Sequence, residues 1–284
     1  MANRLINRVR YLIEYPFYKI PKVLSDVATI EYLVEHKCSC ARFGDGELMC
    51  LLGRGIKFQK SNEKLANMLK EVKTTEKCLV CIPDFYRFKN IKREEKVFWK
   101  KCKIGFKKAW TINFKGNKLL GDATFTRFYM RKKDTTNLGA YIKKLKQLWE
   151  NCEVVFIEGE NSRLGVGNDL FNNAKSIKRI LCPSEDAFNK YDEIFEYIND
   201  NIDKSKLLIC ALGPTATVLS FNLSKNGFRC LDLGHIDVEY EWFLAKATEK
   251  IALKYKYVNE AKNGNSPQAL LNEEYKNQIL VRIV

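Results

Sequence analysis

LLICALGPTATVLSFNLSKNGFRCLD, residues 207–232, is the stretch on which the fold turns. Leu207 to Ala211 is a short, wholly apolar run, the pattern of a strand covered on both faces. Gly213-Pro214-Thr215-Ala216-Thr217 turns the chain, Ala216 to Asn226 reads as a helix, and Phe228 to Asp232 returns as a strand. Working outward, Ile177 to Leu181 is a strand followed by a helix near Tyr191 to Ile198, and Val154 to Ile157 is a β-branched strand behind the helix Leu138 to Trp149. Nearer the N-terminus come helices over Ser25 to Lys37, Glu47 to Leu52, Glu63 to Val72 and Lys92 to Trp110, with strands over Cys38 to Phe43 and Cys78 to Ile82. Apolar strands alternating with helices predict an α/β fold: a Rossmann-like, mostly parallel sheet flanked by helices.

The 284 residues carry 49 basic against 34 acidic side chains, a net charge of +15, with 46% hydrophobic residues. That content suits one large core and argues against disorder. No run of 18 apolar residues occurs, which predicts a chain that stays in the cytoplasm. The ten cysteines lie mostly in apolar runs and read as buried thiols in a reducing compartment, because Cys78 and Cys81 have no second pair to complete a zinc site. Residues 1–24 form a basic amphipathic appendage, with Leu5, Val9 and Leu12 between arginines, and 25–284 one domain. The appendage either docks on the body or lies on an anionic membrane surface. The positive charge favours anionic partners, but the spread of basic residues carries no nucleic-acid motif.

Ligands of doubly wound sheets bind outside the carboxyl ends of the strands. At one such end, Arg42-Phe43-Gly44-Asp45-Gly46-Glu47 offers two carboxylates one residue apart, Asp45 and Glu47, able to meet a hard cation, although a surface Asp-Gly turn has the same look. At a second, Glu160, Ser162 and Arg163 stand in a glycine-rich polar loop where the arginine fork suits phosphate oxygens, or where Asn168 or Asp169 merely caps a helix. At a third, Gly213, Thr215 and Thr217 present helix N-terminal amides and hydroxyls to an anion, without a Walker or GxGxxG pattern. His235 and Asp237 follow the next strand, and Asp122 with Arg127 occupies another loop. An anion site, an acidic pair and spare carboxylates suit a nucleoside diphosphate donor whose leaving group is neutralised.

Together, ARFGDGE (41–47), FTRFY (125–129), EGENSRLGVGNDLF (158–171), CPSEDAF (182–188), ALGPTATVL (211–219) and DLGHIDVEYEW (232–242) resemble the bacterial glycosyltransferases of the GT-D fold, first described from a domain of unknown function. The resemblance implies transfer of a sugar, glucose from UDP-glucose, to a glycan on a lipid or protein carrier in capsule, cell-surface polysaccharide or glycoprotein synthesis. It implies a DXE motif, here Asp45-Gly46-Glu47, holding Mn²⁺ or Mg²⁺. On that reading Arg42, Gly44, Ser162, Arg163, Gly213, Thr215 and Thr217 hold the donor, and His235 steadies the leaving group. Glu160, Asp122 and Asp237 are the candidate bases. The competing readings are a non-catalytic nucleic-acid or phosphate-binding module and a metal-dependent phosphodiester hydrolase.

Overall fold

A computed structural model describes residues 22–84 and 90–284, apart from the side chains of residues 103–105 and 107–108. The basic helix expected within residues 1–21 lies outside these residues. Eight strands, β1 (Ser39–Arg42), β2 (Cys78–Ile82), β3 (Gly121–Asp122), β4 (Glu153–Gly159), β5 (Ser176–Cys182), β6 (Leu207–Ala211), β7 (Arg229–Asp232) and β8 (Ile279–Arg282), form one sheet in the order β3-β2-β1-β7-β6-β4-β5-β8. Every pairing is parallel. Among the described residues the α-helices are α1 (Asp26–His36), α2 (Asp45–Leu51), α3 (Glu63–Glu71), α4 (Arg93–Phe114), α5 (Leu138–Lys146), α6 (Tyr191–Asn201), α7 (Pro214–Lys225), α8 (Ile236–Leu244) and α9 (Glu273–Gln278).

Alternation along the strands divides the core into two layers. Val80, Val155, Ile157 and Leu208 face the layer that α3, α6 and α7 cover. Leu79, Val154, Phe156 and Ile209 face the layer that α1 and α5 cover. Helix starts follow their capping residues: Ser25 Oγ accepts the Ala28 amide at 3.1 Å, and Asn62 Oδ1 accepts that of Leu65 at 3.0 Å. The ten cysteines are free thiols and nine are buried, as their apolar surroundings predict.

Two details differ from the sequence expectations. The turn 213–217 is already the first turn of α7, since Pro214 occupies the first helical position with its φ preset. The eighth strand, half-exposed at the sheet edge, was not expected; its pairing with β5 is a tertiary contact across about a hundred residues of chain. Val23, just before α1, is buried and bridges to Leu120. Among the described residues no helix is long and apolar enough to cross a membrane.

Candidate active site

The chain runs outward from β1 through β2 to β3, then restarts beyond β7, so direction reverses between β1 and β7. At that reversal the connections leave in opposite senses and open a crevice at the carboxyl ends. A cleft of about 490 Å³ lies there, reaching from the loop after β1 to those after β4, β5, β6 and β7.

Arg42 and Asp232 close its floor. The Arg42 guanidinium donates from Nε to the Asp232 carbonyl at 2.6 Å, from Nη2 to Asp232 Oδ1 at 2.9 Å and from Nη1 to Thr126 Oγ1 at 2.9 Å. Thr217 donates to the Arg42 carbonyl at 2.8 Å. A charge-assisted fork of this kind binds β1, β7 and the 3₁₀ turn over Ala123–Thr126 into one rigid unit. Gly234 makes room for it: a Cβ there would stand 2.1 Å from Arg42 Nη2, and its φ of 49° lies in the left-handed region. Arg42 therefore lines the cleft as a positioning residue, with most of its donors engaged by protein.

Asp45 and Glu47 open α2 beside this clamp. Glu47 Oε2 turns back to accept the Gly44 amide at 2.6 Å, the reciprocal half of a capping box. Burial, then the neighbouring carboxylates of Asp232 and Asp45, push the Glu47 carboxyl up to about 7 against the pull of that amide. Repulsion among carboxylates at a cleft floor is what a hard divalent cation relieves, so the oxygen donor set fits Mn²⁺ or Mg²⁺. Among the described residues no three His, Cys, Asp or Glu side chains already form a metal cluster. Asp45 and Glu47 are the residues that would hold such an ion.

Gly213 caps α7 at the cleft wall, with φ 53° and the Phe58 ring 2.6 Å from where a Cβ would stand. Only glycine fits that approach, and it leaves the helix N-terminus facing the cleft. Ser162 also lines the cleft. His235 sits opposite, its Nε2 3.0 Å from Asn259 Oδ1. Burial, followed by the charge of Arg127, lowers its pKa to about 4, so the ring is neutral at pH 7.

Other expected site residues take different positions. Arg163 is buried with its guanidinium on the carbonyls of Tyr255 at 2.6 Å and Gln268 at 2.8 Å, so it pins the C-terminal segment and leaves no fork for phosphate. Thr215 and Thr217 are fully buried inside α7 and stand behind the cleft surface. Asp237 reaches the cleft, but Oδ1 accepts from the Gly165 amide at 2.9 Å and Asn168 at 2.8 Å, and Oδ2 pairs with Lys256 at 2.6 Å; that saturation removes it as a base. Glu160 lines neither this cleft nor the cavity beside it, and Asp122 lines the latter.

Sequence reasoning missed the C-terminal contribution. Lys250, Tyr257, Asn259 and Glu260 line the cleft, with Glu260 bonded to Arg127 and Lys250. No local pattern marks them, because their partners lie far away in the chain. Burial raises the Glu260 carboxyl, but Arg127, His235 and Lys250 together hold it far below the usual carboxylate range.

Comparison with known proteins agrees with this architecture. The family model described as Glycosyltransferase GT-D fold matches residues 40–261. The chain is 36% identical over 265 residues to the probable glycosyl transferase Gly of Streptococcus gordonii, covering 92% of this chain and 39% of that protein. It is likewise 36% identical over 261 residues to glycosyltransferase GlyD of Streptococcus pneumoniae, covering 90% and 32%. The chain thus spans 32–39% of the length of these curated relatives. A solved structure described as a new glycosyltransferase from Streptococcus sanguinis superposes with a TM-score of 0.87 at 35% identity, covering 94% of this chain and 100% of that one. A second, described as a highly conserved domain with a distinct glycosyltransferase fold, gives 0.87 at 38%, covering 93% and 96%.

Proposed function

This chain belongs to the glycosyltransferase GT-D fold family, and from that premise we propose that it moves glucose from UDP-glucose, with Mn²⁺ or Mg²⁺ held by Asp45 and Glu47, to a lipid- or protein-linked glycan. The product belongs to a capsule, a cell-surface polysaccharide or a glycoprotein made on the cytoplasmic face. A peripheral contact with anionic membrane through residues 1–21 brings the enzyme to that acceptor, testable by vesicle flotation. The observation that carries the reading is the gathering of Asp45, Glu47 and Asp232 at the point where the sheet reverses, facing the N-terminus of α7 across the cleft.

A divalent cation bound there supplies positive charge to the diphosphate as it leaves. The chain's own residues do the rest. The amides opening α7 and the Ser162 hydroxyl orient phosphate oxygens by hydrogen bonds that strengthen as charge develops. Arg42, locked to Asp232 and Thr126, keeps the 44–47 loop in register with β7, so the carboxylates need no rearrangement during the reaction. Neutral His235 offers a hydrogen bond to the leaving group without adding charge.

Calorimetry with UDP-glucose and a panel of other nucleotide sugars, with and without Mn²⁺ or Mg²⁺, tests this reading. One donor binds in a metal-dependent way, and Asp45→Asn or Glu47→Gln weakens that binding by on the order of tenfold or more. Folded protein that binds no donor, or binds equally without metal and in both variants, overturns it. A hydrolase using the same carboxylates would consume the donor at a rate indifferent to acceptor, whereas a transferase responds to it.

A further inference from the structure

Beside the cleft lies a second cavity of about 280 Å³. Glu95, Trp99, Thr124, Arg127 and Arg131 line both spaces, which therefore adjoin along a shared wall. Asp122 at the end of β3 faces the second space, with Asp26 from α1 and Lys132 beside it. Because β3 is two strands from β1, Asp122 stands roughly 10 Å from the strand whose carboxyl end leads into Asp45 and Glu47.

The two spaces differ in what they can bind. Among the described residues four carboxyl groups and three basic groups line the second one, and Asp26 and Lys132 already pair at 2.6 Å. A lining of mixed hydrogen-bonding groups with little net charge among these residues suits a neutral polyhydroxyl ligand. Its shared wall is incompletely bonded. Arg131 Nε and Glu95 Oε2 lie 3.3 Å apart without a hydrogen bond, and Arg127 Nη1 is also buried without one. Buried polar atoms in that state can re-pair when a ligand brings hydroxyls to the wall.

Asp122 Oδ1 accepts the Thr124 amide and hydroxyl, each at 2.8 Å, while Oδ2 accepts no hydrogen bond among the described residues. Burial pushes this carboxyl up to about 6, against the two Thr124 bonds. Asp26, Lys132, Cys81 and Tyr141 act on it directly, the last two held neutral by burial, and among the described residues Asp84, Glu95, Arg127 and Arg131 face the same space. Among the three candidate bases, only Asp122 joins an oxygen that accepts no hydrogen bond among the described residues to a space that adjoins the cleft.

Resting on the transferase reading, we propose that the second cavity holds the terminal sugar of the acceptor and that Asp122 accepts the proton of its attacking hydroxyl. The acceptor oxygen forms a bond to the anomeric carbon as that carbon's bond to the diphosphate oxygen breaks. The electron pair leaves with the nucleoside diphosphate, the hydroxyl proton passes to Asp122, and the anomeric configuration inverts.

The test uses the full chain with UDP-glucose, Mn²⁺ and p-nitrophenyl glycosides of glucose, galactose and N-acetylglucosamine. Product configuration is read by proton NMR, sugar binding by saturation transfer, and donor binding by calorimetry. Expected are an inverted product, a kcat that rises with pH near 6, and a loss of on the order of a hundredfold in kcat for Asp122→Asn. The Asn amide oxygen still accepts both Thr124 bonds, which keeps the fold, and Asp122→Glu recovers part of the rate. Lys132→Gln raises the acceptor KM by roughly tenfold with a smaller change in kcat. A retained configuration, a near-normal kcat for Asp122→Asn, or donor binding with neither product nor saturation transfer from any sugar overturns the proposal. Failure to bind donor at all is a separate result, which removes the transferase reading beneath it.

Discussion

His235 illustrates how tertiary context decides the chemistry of one residue. Its place after a strand and a glycine is plain in the sequence, but its charge state is set by burial and by Arg127, which lies over a hundred residues earlier. The sign of the resulting pH effect follows from its two pKa values, 6.5 in the unfolded chain and about 4 when folded. Between them the unfolded chain binds the extra proton, so stability falls as pH drops through that window. With the side chain 27% exposed, the loss from this group is at most about 3 kcal/mol. His235→Gln should therefore flatten the stability curve between pH 6.5 and 4 in urea titrations. An unchanged slope would mean the ring is not held neutral. Arg163 shows the converse: an arginine in a glycine-rich loop looks like a phosphate fork until the carbonyls of Tyr255 and Gln268 are seen to occupy it.

Among elements, β4, β5 and the loop after β4 depend on one buried ion pair. Arg179 of β5 and Glu158 of β4 are 2% and 0% exposed. The arginine also donates to the Leu164 carbonyl at 2.9 Å and to Gln278 at 2.7 Å, and it lies between the rings of Phe156 and Tyr275. Glu158 Oε2 accepts the Leu164 amide at 2.7 Å, so the pair fixes the start of the loop that carries Ser162. Arg179→Met strands a buried carboxylate, and the expected cost is about 3–5 kcal/mol. Denaturant unfolding checks this, and a cost below about 1 kcal/mol would show that the loop does not depend on the pair. Strand β5 was legible as a strand from Ile177 to Leu181, but nothing local marks Arg179 as its least exposed charge. Its partners come from β4 and α9.

At the scale of the whole molecule, the net charge of +15 and the basic residues 1–21 give a long-range attraction to anionic surfaces that salt screens. Removing residues 1–21 should lower flotation with anionic vesicles at low salt and change little with neutral ones; equal flotation of both chains would reject the membrane contact. Much of the architecture was legible beforehand because it rests on short-range order. Apolar runs of four to seven residues interrupted by helices dictate a parallel sheet, glycine-bearing turns mark strand ends, and Asp45-Gly46-Glu47 follows such an end. The sequence by itself thus determined the fold class and the side of the sheet on which a site would form. Only the tertiary structure decided which residues reach that site. Strand order brings β7 beside β1, turns Arg42 into a clamp, buries Thr215 and Thr217, saturates Asp237 and carries Glu260 into the cleft. Those outcomes depend on partners far apart in the chain, and periodicity, which reports only neighbours along it, carries no information about them.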